Sequence, residues 1–265
     1  MAPAGLLSLA AGWLALVFSG AWLWQLRSGH AGMVDPVWAL SLGALAPFYA
    51  ALADGAPLPR LLVAVGGGLW GARLGLHLWQ RNAGKPEDAR YRKLRAEWGD
   101  GVAEKMLGLF LVQGLISLLL SVAFLLPCLR AGIPGKIALA LAVSTWLSAM
   151  IGEGAADQQL RRFMSRPEND GEVCRDGLWR FSRHPNYFFE CLHWVAYVPL
   201  ALGAPWGWLT ILTPLLMVVL LLYVSGIPML EAHLLATRRG YAEYMRTTSV
   251  LIPWPPRHSS QERNT

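Results

Sequence analysis

The sequence predicts an all-α polytopic membrane protein with seven transmembrane helices, its N-terminus outside and its C-terminus cytoplasmic. Three observations carry that expectation. Hydrophobic residues make up 54% of the 265 positions and charged residues only 15%, against about 25% charged in an ordinary soluble domain. The apolar residues gather into seven long runs, and 18 of the 23 Lys and Arg fall on three segments between or after them. A mean hydropathy of +0.37 and 13 Trp exclude a disordered chain. Three cysteines, an odd number without a C-x-x-C pair, exclude a disulfide scaffold and give no redox or metal motif.

The apolar runs are Ala4–Trp24, Val34–Ala53, Leu61–Trp79, Met106–Pro127, Ile137–Ala156, Tyr187–Leu202 and Trp206–Pro228. Most approach the roughly 20 residues that a helix needs to cross the hydrocarbon core. Lipid offers no partners to backbone N–H and C=O groups, so such runs are helices. The first lacks a basic residue ahead of it and a small-residue cleavage site behind it, and is expected to be a retained span. The sixth is the shortest, and is expected to tilt or lie partly in the interface.

Charge sets the orientation. Arg81–Lys105 carries seven basic residues, Arg161–Arg183 six and the tail from Arg238 five. Only Arg60, Arg130 and Lys136 fall on the opposite loops. Basic residues stay on the cytoplasmic side, which places the tail there and, over seven spans, the N-terminus outside. No Pro/Ser-rich linker, repeat or low-complexity run divides the chain, so residues 1–265 are read as a single membrane domain.

Two features sit inside the third run. Arg73, His77 and Arg81 are spaced i, i+4, i+8 and form one stripe of a helix. Arg73 is too deep to snorkel, and a charge at that depth faces a cavity or a partner. Asp35 is the candidate partner, which predicts a polar cavity between spans two and three, although a structural ion pair accounts for the same residues. The glycines of Gly66-Gly67-Gly68-Leu69-Trp70-Gly71 match G-x-G-x-x-G. A dinucleotide fingerprint needs a preceding strand; in an apolar span such glycines let helices approach closely.

The loop before the sixth run is richest in chemistry. Arg161, Arg162, Arg166, Arg175, Arg180 and Arg183 are all arginine, the residue suited to forked phosphate recognition, although headgroup anchoring explains any one of them. Pro185 fits the first position of a helix, with His184 at its cap. A helix N-terminus offers free N–H groups to a phosphate. Asn186, Glu190 and His193 then form a polar face on an otherwise apolar helix. Glu190 and His193 have the Glu-x-x-His spacing of a di-metal bundle site, but no second copy exists, and no metal is expected.

The segment Leu178-Trp-Arg-Phe-Ser-Arg-His-Pro-Asn-Tyr-Phe-Phe-Glu190 resembles the C-terminal signature of the steroid 5-alpha-reductase-like membrane reductases, most closely their bacterial branch, formerly a domain of unknown function. The resemblance continues in Gly226-Ile-Pro228, Glu231, Gly240-Tyr-Ala-Glu-Tyr244 and Ile252-Pro-Trp254. Upstream it covers Arg81-Asn-Ala-Gly-Lys-Pro-Glu-Asp-Ala-Arg-Tyr91 and Asp35-Pro-Val-Trp38. It implies an NADPH-dependent reductase of the C=C bond of a 3-oxo-Δ4-steroid or similar lipophilic enone, in a bacterial inner membrane, with its cofactor site facing the cytoplasm. Residues 1–105 would form the substrate cavity, lined by Trp38 and Trp70, and residues 106–265 the cofactor half. The resemblance places Asp157, Arg161, Arg166, Arg180, Arg183, His184, Asn186, Tyr187, Glu190, Tyr241 and Tyr244 on NADPH.

Two positions depart from the family. Phe189 stands where a glycine is common, and Trp70 where the family's catalytic tyrosine would be. Hydride transfer leaves negative charge on the enone oxygen, which needs a preorganised donor. Asp35 aligns near the family's acid, and Arg73 and His77 are expected to polarise the carbonyl in place of the tyrosine. Arg-His-Pro-x-Tyr also resembles membrane methyltransferases of the isoprenylcysteine carboxyl type, which bind S-adenosylmethionine. A lipid-binding or transport scaffold is the remaining alternative. The expected partners are a lipophilic small molecule and membrane lipid, with no nucleic acid.

Overall fold

The computed structural model describes residues 1–257; Arg263 of the basic tail lies outside them. The chain runs through α1 (Pro3–Ser28), α2 (Val34–Leu52), α3 (Pro57–Asn82), α4 (Ala89–Trp98), α5 (Val102–Cys128), α6 (Lys136–Met164), α7 (Pro185–Val195), α8 (Val198–Ala201), α9 (Leu212–Val219), α10 (Ile227–Thr237) and α11 (Tyr241–Thr247). No named strand occurs among the described residues.

Six helical segments are long and apolar enough to cross a membrane: Pro3–Ser28, Ala31–Leu52, Pro57–Asn82, Val102–Cys128, Lys136–Met164 and Gly207–Thr237. The protein is a multi-pass membrane protein. The run Tyr187–Leu202, expected as a seventh span, divides instead between α7 and α8. Eleven residues of α7 rise about 17 Å, roughly half the hydrocarbon thickness. Pro199 lies in the first turn of α8 and has no N–H to continue the ladder, so the helix restarts there. The last span is also interrupted. A π-turn at Leu220–Val224 and the Gly226-Ile227-Pro228 step separate α9 from α10.

The chain forms two compact units. One comprises Met1–Leu139 with Tyr197–Thr213, the other Ala140–Ala196 with Pro214–Thr265. The first therefore takes in α5, which sequence reasoning grouped with the C-terminal half. Glycines explain its packing. A Cβ on Gly71 would stand 2.6 Å from the Gly43 backbone, and one on Gly67 2.4 Å from Ala46, so α2 and α3 touch backbone to backbone. The glycine run in α3 is a packing face. Between α1 and α5, Gly114 receives the ring of Phe18. Trp38, Trp70, Phe124 and Tyr197 form a chain of ring contacts 5.0–6.4 Å between centroids.

In the second unit, Trp179 Nε1 donates to the Ala156 carbonyl of α6 at 3.0 Å. The Ser182 hydroxyl donates to Leu251 O at 2.8 Å. These bonds fasten the loop before α7 to α6 on one side and to the C-terminal strap on the other. Phe189 lies against Gly152 of α6, where a Cβ would come within 2.3 Å of its ring. The bulk at that position is thus accommodated by a glycine on the neighbouring helix.

Candidate functional site

The second unit gathers buried polar groups on two helices. Glu153 and Asp157 lie one turn apart on α6; Glu190 and His193 lie on one face of α7. All four are 6% exposed or less. Asn186 Nδ2 donates to Asp157 Oδ1 at 3.4 Å, and Trp194 Nε1 donates to Glu190 at 3.0 Å. The polar face expected on α7 therefore exists, and α6 contributes two acids to the same unit. Helix α7 begins at Pro185 with His184 as its cap residue. The Tyr187 N–H, one of the donors at that terminus, is taken by the Asn186 side chain at 3.0 Å.

Glu231 of α10 organises the adjoining cluster. Arg183 grips it through Nε at 2.7 Å and Nη2 at 3.3 Å. The Arg183 Nη1 donates to Met245 O and Thr248 O, which uses four of the five guanidinium N–H groups. His184 Nε2 lies 2.9 Å from the same carboxylate and the Tyr241 hydroxyl donates to it at 3.3 Å. His184 also stacks on Tyr187 with 11° between ring planes. Tyr244 donates to the carbonyls of Trp179 and Ser182. Burial, and for Tyr241 the nearby Glu231 charge, pushes both phenol pKa values up, so both stay donors across the physiological range.

A cavity of about 190 Å³ opens beside this cluster, walled by Leu160, Cys174, Trp179, Leu234, Tyr241 and Tyr244 with Arg183 and His184 at its side. Pockets for whole drug-sized ligands run about 300–1,000 Å³, so this one fits a single planar ring. Arg161, Arg166 and Arg180 are exposed on the same unit. The unit thus combines an aromatic-walled recess with exposed guanidinium groups.

In the first unit, the expected pairing of Asp35 with Arg73 is replaced. Asp35 Oδ2 accepts from Arg81 at 3.1 Å and Arg90 at 3.0 Å, and Oδ1 accepts from the Tyr91 hydroxyl at 3.3 Å. The register explains the change. Gly71 meets Gly43 and Gly75 meets Leu40, which sets Asp35 level with Arg81. Arg73 sits eight residues earlier on α3, about 12 Å along the axis. The same glycine contacts close α2 onto α3 at the level of Gly43 and Gly71, short of the Arg81 end of α3. Arg73 and His77 are half-buried on α3. Trp70 is fully buried, edge-on to Trp38 at 5.9 Å, and so belongs to the packed interior.

Helix α4 is held in place by this acid cluster. Asp88 caps it by accepting from Arg90 N at 2.9 Å. Burial opposes the Asp88 charge, but bonds from the Arg90 side chain and backbone prevail and hold its pKa below the usual value. Burial and the Asp35 charge push the Tyr91 pKa upward. A cavity of about 680 Å³ lies along this segment, lined by Trp24, His30, Trp79, Arg81, Lys85 and Asp88 among others. An apolar cavity of about 360 Å³ shares Trp24, His30, Met33 and Trp79 with it.

A family model described as a protein of unknown function, DUF1295, matches residues 21–248. The chain belongs to the DUF1295 family. No curated protein and no solved structure matches it. The match spans both units, so the acid cluster of α2–α4 and the Glu231 cluster both lie within the DUF1295 region.

Two residues quoted in the resemblance, Glu231 and Tyr91, carry no role in the sequence reading of this DUF1295 protein. Glu231 was visible as a lone carboxylate in an apolar stretch, yet its three partners come from positions 10 to 48 residues away. Tyr91 was visible beside Arg90, but only the fold of α4 brings its hydroxyl to Asp35.

Proposed function

We propose that this DUF1295 protein is a membrane-embedded, NADPH-dependent reductase of the C=C bond of a 3-oxo-Δ4-steroid or similar lipophilic enone. The observation that carries the reading is the aromatic-walled cavity of about 190 Å³ on a unit with exposed Arg161, Arg166 and Arg180. NADPH, when bound, supplies the hydride. Arg161, Arg166 and Arg180 take its phosphates, Tyr241 and Tyr244 line a ring, and Asn186 and Glu190 contact the nicotinamide or its ribose. Arg183 and His184 act as positioning residues through Glu231. The cofactor site faces the cytoplasm of a bacterial inner membrane. The basic segments 161–183 and 238–257 share that side if the chain returns through α7 and α8, which makes that stretch the seventh crossing, with the N-terminus outside.

The enone enters the first unit, and its carbonyl needs a donor as charge develops on oxygen. Tyr91, kept protonated by burial and oriented by Asp35, fills the tyrosine role that Trp70 cannot. Arg73 adds positive potential on α3, and His77 is a further group of that helix that polarises the carbonyl. Removing a positioned proton donor costs about 10²–10⁴-fold in rate. Tyr91→Phe and Asp35→Asn are therefore expected to lower kcat by that order in an NADPH-oxidation assay; unchanged turnover removes this assignment.

A second reading has one observation in its favour. Arg183 and His184 are committed to Glu231, which leaves fewer groups for phosphates and suits the phosphate-free S-adenosylmethionine of a membrane methyltransferase. Thermal unfolding of the purified protein in mild detergent separates the two. NADPH at about 100 times its dissociation constant is expected to add about 2.7 kcal/mol, with S-adenosylmethionine adding nothing. Stabilisation by S-adenosylmethionine and not by NADPH overturns the reductase reading.

A further inference from the structure

A second cavity of the C-terminal unit is unused by this chemistry. It measures about 380 Å³ and is lined by Arg246, Thr247, Thr248, Ser249, Trp254 and Arg257, with Arg183 as its inner wall. No acidic side chain lines it among the described residues. The cavity is built by the chain turning back on itself. Arg257 N donates to Thr247 O at 2.8 Å, Arg183 N to Ser249 O at 2.8 Å and Trp254 N to Phe181 O at 2.9 Å. The loop is thus closed at three points, and Arg246 and Arg257 stand exposed at its mouth beside a row of hydroxyls. Two forked cations with hydroxyl donors and no carboxylate form a receptor for a phosphate group.

The surroundings distinguish one phosphate source from another. Ile252 and Trp254 are 64% and 69% exposed, and Phe181 beside them is 39% exposed. Three outward apolar side chains next to a basic pocket would be a liability in water. They fit the interface of a bilayer, where tryptophan settles at headgroup level and juxtamembrane arginines meet anionic lipid. The pocket also follows closely on the last membrane-crossing segment, which ends at Thr237, with α11 starting at Tyr241. We propose that the Thr247–Arg257 strap is a binding site for the phosphate of an anionic phospholipid, with Ile252, Trp254 and Phe181 seated among its acyl chains. The site shares only Arg183 with the cavity of the cofactor proposal and holds whether or not NADPH is the cofactor.

The test uses the full-length protein in nanodiscs of phosphatidylcholine containing a minority of phosphatidylglycerol. Native mass spectrometry after mild delipidation reads the ratio of the two lipids retained. Phosphatidylglycerol is expected to be enriched over its share of the bilayer. Arg246→Gln with Arg257→Gln should lower that enrichment about 25-fold, at about five-fold for each basic side chain near an anionic surface. Arg239→Gln removes a charge of the same tail that lies outside the cavity and is already met by Glu172 at 3.7 Å, so the enrichment should stay within about two-fold of the unaltered protein. Thermal unfolding in pure phosphatidylcholine nanodiscs checks that the double variant is folded; if it is not, the single variants are read in the same way, each expected to lose about five-fold. Three results overturn the proposal: no enrichment, equal losses in the Arg239→Gln control, or displacement of the retained lipid by inorganic phosphate or NADPH. Inorganic phosphate as competitor would mark a free-phosphate site, and NADPH a part of the cofactor's own.

Discussion

Glu231→Gln is expected to destabilise the protein by about 3–5 kcal/mol, the usual cost of removing one partner from a buried ion pair. The side chains of Glu231 and Arg183 are each only 10% exposed. The substitution leaves the guanidinium without a counter-charge and takes the shared acceptor from His184 and Tyr241. Arg183 also holds Met245 O and Thr248 O, so the damage spreads to the end of α11. Denaturant unfolding in mild detergent measures the loss. The double variant Glu231→Met with Arg183→Met should lose less than the sum of the two single ones, because it leaves no buried charge unmatched. A loss below about 1 kcal/mol for Glu231→Gln, the range of an exposed pair, would show that the cluster is solvated and does not brace the loop.

Gly71→Leu should be equally severe, for a different reason. A Cβ there meets the Gly43 Cα at 2.6 Å and the Ala39 carbonyl at 2.9 Å, both backbone atoms that no rotamer change can move aside. The helices must part, at about 3 kcal/mol or more, the upper end of overpacking costs. At Gly68, three residues away on the same helix, a Cβ meets nothing within 4 Å, which makes Gly68→Leu the control. It is expected to be neutral or to gain about 1 kcal/mol from helix propensity. Unfolding measurements on both, with size-exclusion profiles, decide the matter. Equal losses at the two positions would mean that α2 and α3 do not meet at these glycines.

The two substitutions show how much of the fold was readable in advance. Six of the seven apolar runs became membrane-length segments, because hydrophobic length is a local property of the chain. The sixth run, Tyr187–Leu202, divides between α7 and α8 instead of forming one continuous helix. Pro199 stops the ladder after α7, a signal that run length alone does not weigh. Helix α4 was missed because its sequence Ala89–Trp98 is strongly charged; its cap at Asp88 and its bonds to Asp35 are what hold it. Asp35 was identified as important but given the wrong partner. The charge pattern along α3 was right, while the depth at which α2 meets it depends on which glycines touch.

The candidate site divides along the same line. Asn186, Glu190 and His193 were legible as one face, because helical spacing is written in consecutive residues. The grip of Arg183 on Glu231 across 48 positions was not, nor was the strap that closes the basic cavity. The residues themselves settle what this chain is made for, a lipid solvent crossed by helical spans, since hydropathy acts residue by residue. Only the folded chain settles which acid meets which arginine and which glycine bears a neighbouring helix. Those contacts join distant positions, and their energies exist only once packing has brought the groups within a few ångströms of each other.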